Sequence, residues 1–327
     1  MATFRYRANR WQARVRRLGA PDQTKSFLTR QDAERWARSV EVAIDKGSFV
    51  SSSGSQRTNL RELILRYIKE VTPSMKGAKE DAIRLHAIAR REISTLALSS
   101  LTPEVLGRHR DARLKEVCAG TVIRELAYFS SVINHARREW GIHMQNPVVD
   151  VRKPVSPPGR NRILNSDERV KLLLAVKAQG RQSRWLEPLV ILALETAMRR
   201  GELLALTWRD IDLQQQIAQL HTSKNGQPRT VPLSKFATST LSQLPRQISG
   251  EVFPITAYAL AAAFKRAVKR SGLVDLHFHD LRHNAITGIA NKLPNLIELS
   301  AVTGHKSLRM LQRYYHPNPT ELALKLG

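Results

Sequence analysis

Between residues 57 and 150, apolar positions recur three and four apart in four segments: "NLRELILRYIKEV", "KEDAIRLHAIARREI", "TPEVLGRHRDARLKEV" and "GTVIRELAYFSSVINHARREW". That period lines one face of an α-helix and predicts four amphipathic helices. Thr102, followed by Pro103 and Glu104, marks a helix start. The first 50 residues follow another rhythm. "FRYRANRWQARVRR" alternates as a hairpin of basic strands does, and "TKSF" supplies a third strand. "TRQDAERWARSVEVAID" returns to the helical period, with Thr29 as N-cap and Trp36, Val40 and Ala43 facing the sheet. "VSSSGSQ" (residues 50–56) has the composition of a flexible linker. "NPVVDVRKPVSPPGRNR" is a second linker, rich in proline and positive charge, and suits a strap along a phosphate backbone. From about residue 160 the pattern is mostly helical, with one hairpin. Its arms are "IAQLHT" and "RTVPLS", and Asn225-Gly226 marks the turn "SKNGQP". The expected architecture is mainly α with small β elements, in three modules at 1–50, 57–150 and 160–327.

Charge narrows the partners. Lys plus Arg number 53 against 28 Asp plus Glu in 327 residues, a formal +25 that attracts a polyanion. Nucleic acid is the leading partner, and an anionic membrane surface is the rival. The first 50 residues carry 11 basic and 5 acidic side chains, 11 − 5 = +6. A three-stranded sheet with basic, aromatic-bearing strands can enter a DNA major groove. The longest apolar run, "LVILALETAM", contains Glu195 and is about half the ~20 residues of a membrane span. The N-terminus lacks the apolar core of a signal peptide, so a cytoplasmic protein with no membrane partner is expected. Cys118 is the single cysteine, which excludes an intramolecular disulfide and leaves a zinc site to other ligands.

Four stretches of the last module carry candidate chemistry. In "ETAMRRGELLALTWRDID" a buried helix breaks after Leu194 and restarts near Gly201. Arg199 lies in the break, and Glu202 is placed to orient its guanidinium. The second stretch is the hairpin turn bearing Lys224. In the third, "HFHDLRHNAITGIA", a helical projection puts Leu281, Ala285, Ile286 and Ile289 on the apolar face, with Arg282 among them. A guanidinium there needs an anion, either a protein carboxylate or a bound phosphate. His279 sits on the same side, one turn back. The fourth, "TGHKSLRMLQRYYH", predicts a helix capped by Ser307 and running through Tyr315. Leu308, Leu311 and Tyr315 form its apolar stripe. On that winding Tyr315 packs, and Tyr314, at the stripe's edge beside Met310, is free to face a cleft. His277, His279, His283, His305 and His316 invite a metal reading. However, "HFHDLRH" spreads its three across a strand-to-helix junction, and no HExxH or paired-carboxylate pattern supports them. No metal or cofactor is expected.

Together these stretches resemble the tyrosine recombinase (phage integrase) family, over roughly residues 160–320. "TAMRRGEL" is similar to its first arginine motif, "HDLRH" to its His-x-x-Arg motif, and "TGHKSLRMLQRYYH" to its Gly-His and nucleophile motif. The order of the motifs and the nine-residue spacing from His305 to Tyr314 make the set specific. "LALETAMRRGELLALTW" and "LHFHDLRH" are similar to integrases akin to the shufflon-type DNA invertases. The region ending "REWGIHMQNPV" resembles the family's helical core-binding domain, and residues 1–50 its arm-type DNA-binding modules. The resemblance implies a mixed, mostly α catalytic domain that cuts and rejoins DNA through a 3′-phosphotyrosyl intermediate. Arg199 and Arg282 match the phosphate-clamping arginines, Lys224 the hairpin lysine, His279 and His305 the two histidines, and Tyr314 the nucleophile. In those roles His279 is the base for Tyr314, and Lys224 protonates the departing 5′-oxygen. Implied partners are double-stranded recombination sites and a tetramer on two of them, in a bacterial or phage setting at the nucleoid. An accessory DNA-bending protein is left open. Ala197 stands where glycine is common, and Thr303 where leucine is common. A type IB topoisomerase and a lapsed DNA-binding protein are the rival readings.

Overall fold

The computed structural model describes residues 2–17, 20–45, 58–142, 144–177, 184–221, 228–315 and 319–326. The chain forms two compact units, residues 1–158 and 159–327.

The first unit opens with an antiparallel sheet of β1 (Ala2–Arg7), β2 (Arg10–Arg17) and β3 (Ala20–Phe27). Ala8 and Asn9 join the first two strands with positive φ at both positions, as a two-residue hairpin turn requires. Alternation along β2 buries Ala13 and Val15 and exposes Arg14 and Arg16. α1 (Arg30–Asp45) lays Ala33, Ala37 and Val40 on that apolar face. Thr29 caps it, its hydroxyl accepting from Asp32 N at 3.2 Å. Asp22 takes hydrogen bonds from both Arg14 and Arg16 at 2.7 Å, so part of the basic face is already neutralised.

The helices expected next are present as α2 (Leu60–Glu70), α3 (Ala78–Ala89), α4 (Pro103–Leu114) and α5 (Ala119–Glu139). Asn59 caps α2 and Thr102 caps α4 through their side-chain oxygens. Their apolar faces meet in one core around Leu63, Ile64, Leu106, Leu126, Phe129 and Ile133. The second linker begins later than its composition suggests. Pro147–Asp150 is a 3₁₀ turn, and Val148 and Val151 are buried in this helical core.

The second unit is built on α7 (Leu186–Thr196), the apolar run of the sequence and buried along nearly its whole length. Around it lie α6 (Ser166–Val176), α8 (Arg200–Leu204), α9 (Lys235–Ser242), α10 (Ala257–Ser271) and α11 (Phe278–Lys292). A small sheet joins β4 (Ile211–Asp212), β5 (Ile217–Leu220) and β6 (Arg229–Pro232), with Leu220 opposite Arg229. α12 (Leu296–Thr303) and α13 (Pro319–Leu326) complete the helices described. The segment entering this unit is fastened to α11. Arg160 grips the carboxylates of Asp275 and Asp280, and Leu164 N donates to Asn284 Oδ1. Arg313 in turn donates to the carbonyl of Arg160. Arg162 pairs with Glu168. These two arginines of the expected phosphate strap are therefore occupied by acidic side chains.

The predicted helix from Ser307 through Tyr315 is absent. Leu308–Met310 and Gln312–Tyr314 are two 3₁₀ turns, closed by Leu311 N to Leu308 O at 2.8 Å and Tyr314 N to Leu311 O at 2.9 Å. The winding decides which tyrosine is buried. At 3.0 residues per turn Leu311 eclipses Tyr314, whereas at 3.6 it would lie under Tyr315. Tyr314 is 5% exposed and packs with Leu311, Ala285 and Ile286, while Tyr315 is half-exposed. This reverses the expectation that Tyr315 packs and Tyr314 faces a cleft.

Candidate active site

α7 ends at Thr196 because Ala197 turns left-handed, at φ 53°. A side chain there costs about 1–2 kcal/mol, which explains why glycine suits the position. The turn points the Ala197 carbonyl at Arg282 and lets the chain restart as α8, with Arg199 at its N-cap. Glu202 faces back across that first turn. Its carboxylate accepts from Arg199 N at 2.8 Å and from Arg199 Nη1 at 2.7 Å, the orienting role expected of it.

Arg282 is buried on α11, as the helical projection requires. Its described partners are neither carboxylate nor phosphate. It donates to the backbone carbonyls of Ala197 and Thr303, so one side chain ties the first arginine turn to the end of α12. Its pKa is pushed down to about 10, first by burial and then by the charge of Arg199. It remains a cation at neutral pH, but one that an incoming anion would relieve.

The Gly-His turn follows α12. Gly304 has φ +70°, and a methyl group there would come within 2.8 Å of Arg229 Nη1, so both backbone and neighbour demand glycine. Thr303 is buried, and its hydroxyl bonds Leu299 O at 2.6 Å and His305 Nδ1 at 2.7 Å, work that a leucine would not do. His305 is pushed down to about 4 by burial and then by Arg282, Arg199 and Arg229. At neutral pH it is an uncharged imidazole.

Arg229 and His283 carry no role in the sequence reading but lie in this site. Arg229, at the start of β6, holds Glu202 with two hydrogen bonds at 3.0 and 2.8 Å and reaches Val302 O at 3.3 Å. A basic residue opening a strand that otherwise reads "TVPL" was the available signal. His283 is one helical turn beyond His279, with ring centroids 5.3 Å apart, because α11 already starts at Phe278 and carries both. His283 Nδ1 is hydrogen-bonded to the Tyr314 hydroxyl, and the two rings stack at 5.9 Å and 24°. His279 is exposed. Burial raises the Tyr314 pKa, against the pull of Arg313 and Arg282. Arg199, Arg282, His305 and Tyr314 are thus drawn to one place through Arg282 and α11. Lys224 lies outside the described residues. A cleft of about 810 Å³ opens beside Arg199, lined also by Arg200, Lys265, His277 and His279.

Burial opposes charge on Glu202, but the hydrogen bonds from Arg229 and Arg199 outweigh it and hold the carboxyl at about 2. A folded value below the ordinary ~4.3 of glutamate contributes stability that is complete above that value and lost as pH falls toward 2. Glu202→Gln leaves the half-buried guanidiniums of Arg199 and Arg229 without their anion and should destabilise by roughly 3 kcal/mol at pH 7. The gap between the two proteins should narrow progressively as pH falls from 5 toward 2 in denaturant melts. A gap independent of pH would mean that Glu202 acts by packing alone.

Residues 162–321 match the phage integrase family profile. Over 280 residues the chain is 38% identical to the shufflon-specific DNA recombinase of Escherichia coli, spanning 83% of this chain and 72% of that protein. The chain belongs to the phage integrase family. A putative integrase/recombinase of Haemophilus influenzae is 33% identical to this family member over 98% of its length and 89% of the relative's. In three dimensions the integrase fold is shared with the lambda integrase tetramer bound to a Holliday junction, at a TM-score of 0.66 and 22% identity over 94% of this chain and 93% of that one. No described helix of this integrase is long and apolar enough to cross a membrane.

Proposed function

We propose that this integrase is a site-specific DNA recombinase whose nucleophile is Tyr314. The observation that carries the residue roles is the bonding of Arg282 to both Ala197 and Thr303, which gathers Arg199, His305 and the Tyr314 turn around one cationic pocket. In the proposed step the Tyr314 oxygen attacks a scissile phosphate, forming a 3′-phosphotyrosyl bond and releasing a 5′-hydroxyl. A partner strand's 5′-hydroxyl then reverses the exchange, so bond energy is conserved. Arg199 and Arg282 hold the non-bridging oxygens. Neutral His305 joins them as the phosphate's negative charge draws a proton onto it. Lys224 protonates the departing oxygen.

The partner is double-stranded DNA carrying recombination sites, and the working assembly of this bacterial or phage-encoded protein is a tetramer on two of them, at the nucleoid. The scheme leaves the part of an accessory DNA-bending protein open. Residues 1–50 serve as the arm-type module, 57–150 as the core-binding domain and 160–327 as the catalytic domain. Sequencing the recombined junctions in a host carrying the gene tests the reading. A plasmid bearing two such junction sites should then recombine with purified protein. Relaxation of a plasmid without sites would favour a topoisomerase, and binding without strand exchange a lapsed enzyme.

Deleting residues 1–50 should weaken binding to a full recombination site yet leave cleavage of a short core site. Because its basic residues contribute phosphate contacts, the plot of log affinity against log salt should also flatten. An unchanged slope on full-site DNA would mean that the module does not touch DNA.

A further inference from the structure

We propose that His283 is the proton acceptor for Tyr314: as the phenolic oxygen bonds to phosphorus, its proton passes to His283 Nδ1. This rests on the recombinase reading above. The step balances. The new O–P bond forms, the P–O5′ bond breaks, the phenolic proton moves to Nδ1, and the leaving oxygen takes a separate proton from the acid assigned to Lys224. On rejoining, the attacking 5′-hydroxyl returns its proton to that acid, and Nδ1–H gives its own back to the tyrosine oxygen.

Geometry selects His283. Its Nδ1 is already hydrogen-bonded to the hydroxyl that must lose the proton, and the near-parallel stacking of the rings fixes the approach. A neutral imidazole has one bare nitrogen, and with Nδ1 accepting from tyrosine the ring proton resides on Nε2. The surroundings keep the ring neutral. His279 and Arg282 on its own helix and Arg313 on the tyrosine turn oppose a positive charge there, and Asp280 alone favours it. Burial is the largest influence and acts in the same sense, so the pKa is lowered. His305, the remaining titratable neighbour, is uncharged at neutral pH. The phenol needs such an acceptor, because burial makes Tyr314 a weaker acid than free tyrosine. His279, exposed and edge-on to His283 at 85°, is one ring further from the oxygen in question.

The test is single-turnover formation of the covalent adduct on a nicked duplex carrying a mapped junction site, measured from pH 5 to 9. The unmutated protein should show an acid limb below the ordinary histidine value of ~6.5. His283→Gln, which can accept a hydrogen bond but cannot hold the proton, should lose that limb. It should be slowed by roughly 10²-fold or more, with DNA affinity and melting temperature unchanged. A more acidic phenol needs less help, so fluorotyrosine at position 314 should restore at least about tenfold to His283→Gln. In the otherwise unmutated chain the same replacement should shrink the acid limb. His279→Gln should keep the limb and gain nothing specific from fluorotyrosine. A His283→Gln protein that is slow and not rescued would make His283 a packing residue and overturn the assignment, as would an unchanged rate and pH profile. If the unmutated protein forms no adduct, the recombinase reading falls and this assignment falls with it. If it forms adduct and only the His283 arms fail, the assignment falls alone.

Discussion

Tyr314→Phe should leave no protein covalently joined to DNA, while Tyr315→Phe should give adduct at close to the unmutated rate. The substitution removes one oxygen and little else. The Tyr314 ring is buried against Leu311, Ala285 and Ile286, and phenylalanine keeps those contacts. Of the described hydrogen bonds only the one to His283 is lost. Melting temperature and DNA affinity should therefore hold, so that the missing adduct reports chemistry rather than folding. Tyr315 is half-exposed, and its hydroxyl has no described partner in the site. Adduct on nicked site DNA, resolved on a denaturing gel and surviving in purified Tyr314→Phe protein, would overturn the assignment of the nucleophile.

Lys224→Ala should slow cleavage of ordinary DNA by about 10²–10⁴-fold, the usual size of a general-acid loss. An alkoxide is a poor leaving group and needs a proton, whereas a thiolate leaves readily. With sulfur at the bridging 5′ position, cleavage by the Lys224→Ala protein should approach that by the unmutated one. Arg282→Ala should gain far less, because its role concerns the non-bridging oxygens. Arg282→Ala should also cost stability. Removing Arg282 leaves the buried carbonyls of Ala197 and Thr303 without their donor, at roughly 1–3 kcal/mol each. A lowered melting temperature is therefore expected for Arg282→Ala. Equal rescue of both by sulfur would remove Lys224 as the specific acid. Rescue of neither would make it a DNA-positioning residue.

Much of the fold is legible because helix period and capping residues are local. Asn59, Thr102 and Thr29 cap helices, and Glu202 reaches Arg199 three residues away within one turn. The arrangement of the site depends on longer reach. Nothing near Arg282 in the sequence says that its partners are carbonyls 85 and 21 residues away. The partner of Arg229 was hidden for the same reason, since Glu202 is 27 residues distant and only a basic residue at the strand's start hinted at a role. The tyrosine turn failed differently. Apolar spacing at Leu308, Leu311, Tyr314 and Tyr315 fits either an α or a 3₁₀ winding, and the pattern alone cannot choose between them. Tertiary packing against Ala285 and Ile286 made the choice. Ala197 and Thr303, the two departures from the family's usual residues, proved to mark positions where backbone geometry and hydrogen bonding matter most.

The segment that enters the second unit has a mechanical consequence. Arg160 is bonded to Asp280 on α11 and to Asp275 just before it, and Arg313, beside Tyr314, donates to its carbonyl and to Asn161 Oδ1. A pull on residues 159–162 would therefore be felt both by the helix carrying Arg282 and by the turn carrying Tyr314. The fastening behaves as a buckle with one clasp on each of the two elements.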